Sequence, residues 1–272
     1  MHEFTSRQRD MSTGVWRHRS LALMLVRRDI VGRYRGSLLG GAWSLVYPLF
    51  MLGIYSFVFG GVFKSHWLAE SRSVLDFSLV LFVGLMVFNL FSECIARSPG
   101  VVLAHTNYVK KIVFPLEVLS VVLLAAALFQ FLVNLCVWLV FSTLFFQVPP
   151  LTSLLLPLVI LPLLLLTLGV SWILASLGTY LRDIGHLVGV LVTALLFLSP
   201  IFYPVTALPE RFQFLMYLNP LAQVIENTRE VLIWGRLPDP GTWSLSLLVS
   251  GLVAWFGLVF FQKTRGGFAD VL

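Results

Sequence analysis

Residues 118–181 read VLSVVLLAAALFQFLVNLCVWLVFSTLFFQVPPLTSLLLPLVILPLLLLTLGVSWILASLGTYL, 64 consecutive positions between Glu117 and Arg182 without one charged side chain. A bilayer core takes about 20 helical residues to cross, so this stretch holds two crossings. Pro149-Pro150 is the natural break, because proline lacks the N–H that a helix interior needs. The spacing predicts spans at 113–147 and 151–180, joined as a tight hairpin.

The rest of the chain follows the same rule. No charge falls among the 28 residues 36–63, which places a first span at 38–63. A second, at 74–95, is bordered by Asp76 and Glu93, where headgroups and water reach them. Shorter apolar runs predict spans at 187–203 and 242–262. The expected fold is an all-α polytopic membrane protein: six transmembrane helices in one domain of 272 residues. Gly40, Gly41, Gly53, Gly60 and Gly61 in the first span, and Gly169 and Gly178 in the fourth, suit close helix packing.

Composition agrees. Hydrophobic residues make up 58% of the chain, charged residues 12%, and mean hydropathy is +0.90, whereas soluble domains carry about 25% charged residues. The formal charge of +6 therefore speaks for lipid headgroups and cytoplasmic loops, not nucleic acid. The first 20 residues hold four arginines and no apolar core, which argues against a cleaved signal peptide. Counted over alternate sides of six spans, Lys and Arg number 14 on the side of both termini and five on the other. Cytoplasmic loops retain positive charge, so both termini are expected in the cytoplasm. Cys94 and Cys136 lie in or beside apolar segments and read as small buried residues.

Two polar segments are the most informative. In residues 1–35, Arg17, Ser20, Arg27 and Arg28 share one helix face and Ala22, Leu23, Val26 and Ile30 the opposite one. Such an amphipathic helix lies in the membrane plane. Anchoring on anionic lipid and docking of a cytoplasmic partner both fit it. Residues 204–241 are too apolar for a free loop and too interrupted for a span, and two short outer helices are expected. Asn219 is a good N-cap with Pro220 at the first helical position. Leu221, Val224, Ile225, Thr228 and Val231 then line one face, while Glu226, Arg229 and Glu230 line another. This reading makes Glu226 and Arg229 an exposed pair worth about 0.2–1 kcal/mol. A re-entrant gate and a helix resting on the outer leaflet both fit.

Catalytic chemistry has no visible address. There is no G-x-x-x-x-G-K-[ST], so nucleotide energy must come from elsewhere, and no H-E-x-x-H, G-x-S-x-G or acidic pair. No catalytic, cofactor or metal residue is assigned. The centres of the predicted spans lack the buried carboxylates that proton- or sodium-coupled carriers use. Tyr47 and Tyr55, inside the first span, need a hydroxyl partner or a wet lumen.

The run Arg27–Pro48, RRDIVGRYRGSLLGGAWSLVYP, together with SPIFYP from Ser199, ALPE and then LNPLAQVIENTREVL, resembles the membrane subunits of type 2 ABC exporters that move polysaccharides such as O-antigen, capsule and teichoic acid. The resemblance implies a half-transporter of a bacterial cytoplasmic (inner) membrane. Two copies would form a homodimeric path, and two separate ATPase subunits would bind ATP and Mg. It implies ATPase contacts through the N-terminal helix (Arg28, Asp29, Arg33, Tyr34, Arg35) and a coupling segment at 96–112 (Arg97, Tyr108, Lys110, Lys111). It also implies a paired-helix outer segment and aromatic rings along the path, for which Tyr47 and Tyr55 are the candidates; the amphipathic pattern of the outer segment makes Tyr203, Asn219, Glu226 and Arg229 the outer-gate candidates. The substrate would be a polysaccharide, lipid-linked O-antigen or capsule being the expected type. Export of drug, lipid or heme is the alternative within that class. A membrane-embedded glycosyl- or phosphotransferase is the alternative outside it, and its acidic pairs at the membrane surface are missing.

Overall fold

The computed structural model describes residues 19–58, 74–106, 115–145, 147–207 and 209–272. Every regular element among them is helical. Helix α1 spans Arg19–Tyr34 and ends where Gly36 adopts φ 86°, a left-handed conformation that costs glycine nothing. The chain turns there and, through a 3-10 turn, enters α2 (Trp43–Tyr55). Helix α3 (Val74–Arg97) is followed by tight turns at Ser98–Gly100 and Leu103–His105. Then come α4 (Val118–Phe145), the Pro149-Pro150 break, and α5 (Leu161–Tyr180). Helix α6 (Ile184–Leu198) leads to α7 (Glu210–Leu218) and α8 (Pro220–Arg229), which continues as a π turn to Trp234 and stops at Gly235. Helix α9 (Pro240–Thr264) ends in a short hook, Arg265–Leu272.

Five stretches are long and apolar enough to cross a membrane: Gly40–Val58, Phe77–Gly100, Val118–Phe145, Leu151–Tyr180 and Pro240–Val271. The expected fifth span, 187–203, is shorter than predicted. Helix α6 has 15 residues, about 22 Å at 1.5 Å per residue. It stops at Ser199 with extended backbone, because Pro200 disfavours helical geometry in the residue before it.

Helix α3 is the centre of the core. Its side chains from Phe77 to Ile95 pack against α4, α5, α6 and α8. The predicted α4–α5 hairpin is looser than expected, since α5 packs chiefly on α9. A Cβ built on Gly257 would lie 2.2 Å from the Gly169 carbonyl oxygen, so the two backbones touch there. At the other extreme, α2 buries only Pro48 and Leu52, and α6 only Val188. Cys94 is buried as expected, but Cys136 is exposed on the outside of α4.

Candidate functional site

Among the described residues, α3 takes part in two polar clusters, one at its C-terminal end and one in its N-terminal half. The first, at the base, joins α1 to the ends of α3 and α4. The apolar face of α1 is rotated from the predicted one: Leu25 is 3% exposed and packs on Val118 and Val122, whereas Leu23 is 67% exposed. Residues 21–26 are apolar in an unbroken run, so periodicity alone picked the wrong centre. This rotation turns Asp29 and Arg33 inward. Asp29 accepts hydrogen bonds from Arg97 at 2.9 Å and from Arg33 at 3.0 Å, and Arg33 also pairs with Glu93. The Tyr34 hydroxyl donates to Gln130 at 3.1 Å, and Gln130 donates in turn to the Ser44 carbonyl and Asn134.

Asp29, Arg33, Tyr34 and Arg97, expected as docking residues, are partly exposed and also fasten α1 to α3 and α4. Of the expected docking residues, Arg28 and Arg35 are exposed, and Tyr108, Lys110 and Lys111 lie outside the described residues. Arg28 donates to His105 Nε2 at 3.0 Å, which leaves His105 Nδ1 to donate to the Val101 carbonyl at 2.8 Å. Between α1 and this turn lies a cavity of about 340 Å³ walled by Leu25, Arg97, Val101 and Leu123. Burial pushes the Asp29 pKa up, but the hydrogen bonds and charges of Arg97 and Arg33 outweigh it and hold the carboxyl below its ordinary 3.8. The fastening thus contributes stability above that pH and loses it as pH falls through the lower folded value.

Asp29→Ala should lower the stability of α1 by about 1–2 kcal/mol, since two guanidinium groups lose their shared acceptor. Hydrogen exchange of the amides of 21–33 should then speed up by about tenfold. Unchanged exchange would mean that Leu25 packing alone holds the helix.

The second cluster is built around Arg229. The expectation of an exposed Glu226–Arg229 pair is wrong: Arg229 is 1% exposed. It donates to the carbonyls of Pro200 at 2.6 Å, Ile201 at 3.1 Å and Val80 at 3.3 Å, and to Glu226 at 2.8 Å. Gly84 makes room, since a Cβ there would lie 2.7 Å from a guanidinium nitrogen. Pro200 and Ile201 fall just past the end of α6, so their carbonyls have no helical partner and Arg229 supplies it.

The predicted apolar face of α8 is observed, with Leu221, Val224, Ile225, Thr228 and Val231 all buried. Asn219 caps α8 by accepting from the Leu221 N–H and donates to Ser199 at 3.1 Å. The Tyr203 hydroxyl bonds to the Phe197 carbonyl at 2.7 Å. Gln147 and Thr152 reach the carbonyls of Ile233 and Val231 at 2.7 Å each, fixing the Pro149-Pro150 turn to the same region. Tyr55 is half-buried against the core and Tyr47 is 55% exposed on α2. Neither cluster carries a nucleophile beside a base. Both join helices.

The family model described as ABC-2 type transporter matches residues 20–233, from α1 to the π turn after α8. The chain belongs to this family. Among ABC-2 type transporters, it is similar to the "O-antigen export system permease protein RfbA" of Myxococcus xanthus, 27% identical over 258 residues, covering 94% of this chain and 96% of that one. A Klebsiella pneumoniae protein of the same name is also 27% identical, over 93% of this chain and 95% of its own length. The "Polysialic acid transport protein KpsM" of Escherichia coli is 23% identical over 88% and 91%. As an ABC-2 family member, the chain is a transport component, and its two clusters both fall inside the matched region.

Gly84, Glu93, Gln130 and His105 were not singled out as site residues by sequence reasoning. Gln130 and Asn134 carried a usable signal, being polar residues one helical turn apart inside a charge-free span.

Proposed function

We propose that this chain is the membrane-spanning subunit of an ATP-driven exporter that carries a polysaccharide, of the lipid-linked O-antigen or capsule type, across the bacterial cytoplasmic membrane. The observation that carries the reading is near-full-length likeness to two differently named kinds of polysaccharide transport protein, within a shared transporter family. Two copies form the path, and the apolar sides that α2 and α6 leave uncovered supply the surface for the second copy. Two separate ATPase subunits bind ATP and Mg and dock at the base. There the exposed Arg28 and Arg35 are the contact residues, held in position by Asp29, Arg33, Tyr34 and Arg97.

In this reading both termini are cytoplasmic. Helix α6 is a sixth, short crossing completed by the SPIFYP segment, and 204–241 closes the outer exit. Tyr203, Asn219 and Arg229 shape that exit from within, and the half-buried Glu226 borders it. Tyr47 and Tyr55, on the least covered helix, are the aromatics set to face the polymer, since sugar C–H faces stack on rings without needing charge.

The test is reconstitution with the cognate ATPase in vesicles, with lipid-linked polysaccharide and ATP supplied on the side of the ATPase. Polymer should cross only with hydrolysable ATP and only when both proteins are present. A cysteine at Gln213 should react from the opposite side. ATP turnover by the chain alone, or labelling of that cysteine only from the ATPase side, would sink the proposal.

A further inference from the structure

The hook Arg265–Leu272 shares an apolar cluster with the entry root of segment 96–112 and an ion pair with its exit root. At the entry root, the turn after α3 is seated on α5. Ser98 Oγ lies 2.7 Å from Ser171 Oγ, and Gly178 presses so closely on Pro99 that a Cβ would sit 2.3 Å from its carbonyl oxygen. Val101 and Val102, next in the chain, share one apolar cluster with Trp172, Phe261 and Phe268. At the exit root, Leu116 and Leu119 enter that same cluster. Between them the Glu117 carbonyl accepts from Trp172 Nε1 at 3.0 Å, and its carboxylate pairs with Arg265.

The hook is held as firmly on its own side. Phe268 is fully buried, edge-on to both Tyr180 and Phe261 at 5.7 and 5.5 Å between ring centres. The Tyr180 hydroxyl donates to the Thr264 carbonyl at 2.7 Å, and a Cβ on Gly267 would lie 2.6 Å from that hydroxyl. Glu117 has its Oε2 buried with no partner among the described residues, so Arg265 is the charge on which the buried carboxylate depends. An eight-residue tail thus links the two places where segment 96–112 leaves and rejoins the helices, and both links lead to α5 and α9.

We propose that the hook Arg265–Leu272 is a coupling brace, locking both roots of segment 96–112 to α5 and α9 so that movement imposed on the segment by the ATPase reaches those helices. The inference rests on the reading under Proposed function, in which that segment meets the ATPase. Phe268 and Arg265 act as positioning residues. They touch neither nucleotide nor polymer.

The test uses the full chain with its ATPase in vesicles and reads polymer exported per ATP hydrolysed. Phe268→Ala and Arg265→Gln should each leave the ATPase bound and ATP turnover running while export per ATP falls about tenfold. Phe268→Leu, which refills the apolar site, should restore most of it. If neither single variant accumulates, Arg265→Gln combined with Glu117→Gln, which removes the ion pair without leaving a buried carboxylate unpaired and keeps the apolar packing whole, decides alone. Unchanged export per ATP in an intact Arg265→Gln complex overturns the brace. Failure of the unaltered complex to export at all would instead overturn the functional reading, so the two failures are distinguishable.

Discussion

Arg229→Met will cost the purified chain about 3–5 kcal/mol, the usual penalty for removing one partner of a buried charge network. The large value follows from what is left behind. The carbonyls of Pro200 and Ile201 lose the donor that serves them past the end of α6, and each stranded buried acceptor costs about 1–3 kcal/mol. Glu226 loses its partner at the same time. Lysine will not substitute fully, because a single ammonium on a flexible stem lacks the planar fork that reaches three segments at once. Gly84→Ala should act through the same group, at about 1–3 kcal/mol, by pushing a methyl into the space of the guanidinium. Thermal unfolding in detergent measures both. Arg229→Met melting with the parent would show that the three carbonyls find other donors.

Gly257→Leu is expected to prevent assembly of the α5–α9 pair, and Gly257→Ala to weaken it by about 2–3 kcal/mol. The added carbon would meet the Gly169 carbonyl oxygen at 2.2 Å and its carbonyl carbon at 2.8 Å. Both are backbone atoms, so no side chain can swing aside, and the helices must part by about 1 Å to reach ordinary contact. Without water between them, membrane helices depend on such close packing for their association. Gly251→Ala, on the same helix but facing open space, is the control and should change nothing. Equal melting of the Gly257 and Gly251 alanine variants would mean that α9 is free to slide past α5.

The parts of this architecture that local chemistry decides could be read from the chain. Charge-free length announced the long helices, Pro149-Pro150 announced the break between α4 and α5, and Asn219-Pro220 announced the start of α8 with its buried face. The parts that depend on distant partners could not. Arg229 looked solvent-facing because its acceptors lie 28 and 149 positions away, at Ile201 and Val80. Asp29 and Arg97, separated by 68 positions, looked like two contact surfaces, and only folding shows that they face each other. Helix α1 misled for another reason. Apolar residues surround its axis from Leu21 to Val26, so the side that packs is chosen by Val118 and Val122 on α4. Of the residues expected to dock, Asp29, Arg33, Tyr34 and Arg97 also fasten helices to one another, and of the three arginines in 204–241 it is Arg229 that is buried against the expectation.

Helix α3 carries two fastenings, Glu93 and Arg97 at its C-terminal end and Val80 and Gly84, in its N-terminal half, against Arg229. At 100° per residue, the nine positions from Gly84 to Glu93 set these attachments about 180° apart around the helix. The rod is keyed on opposite flanks. Spinning it about its own axis to ease one attachment drags the other out of register, so the displacements that keep both intact are tilt and axial sliding, with α1 and α8 carried along.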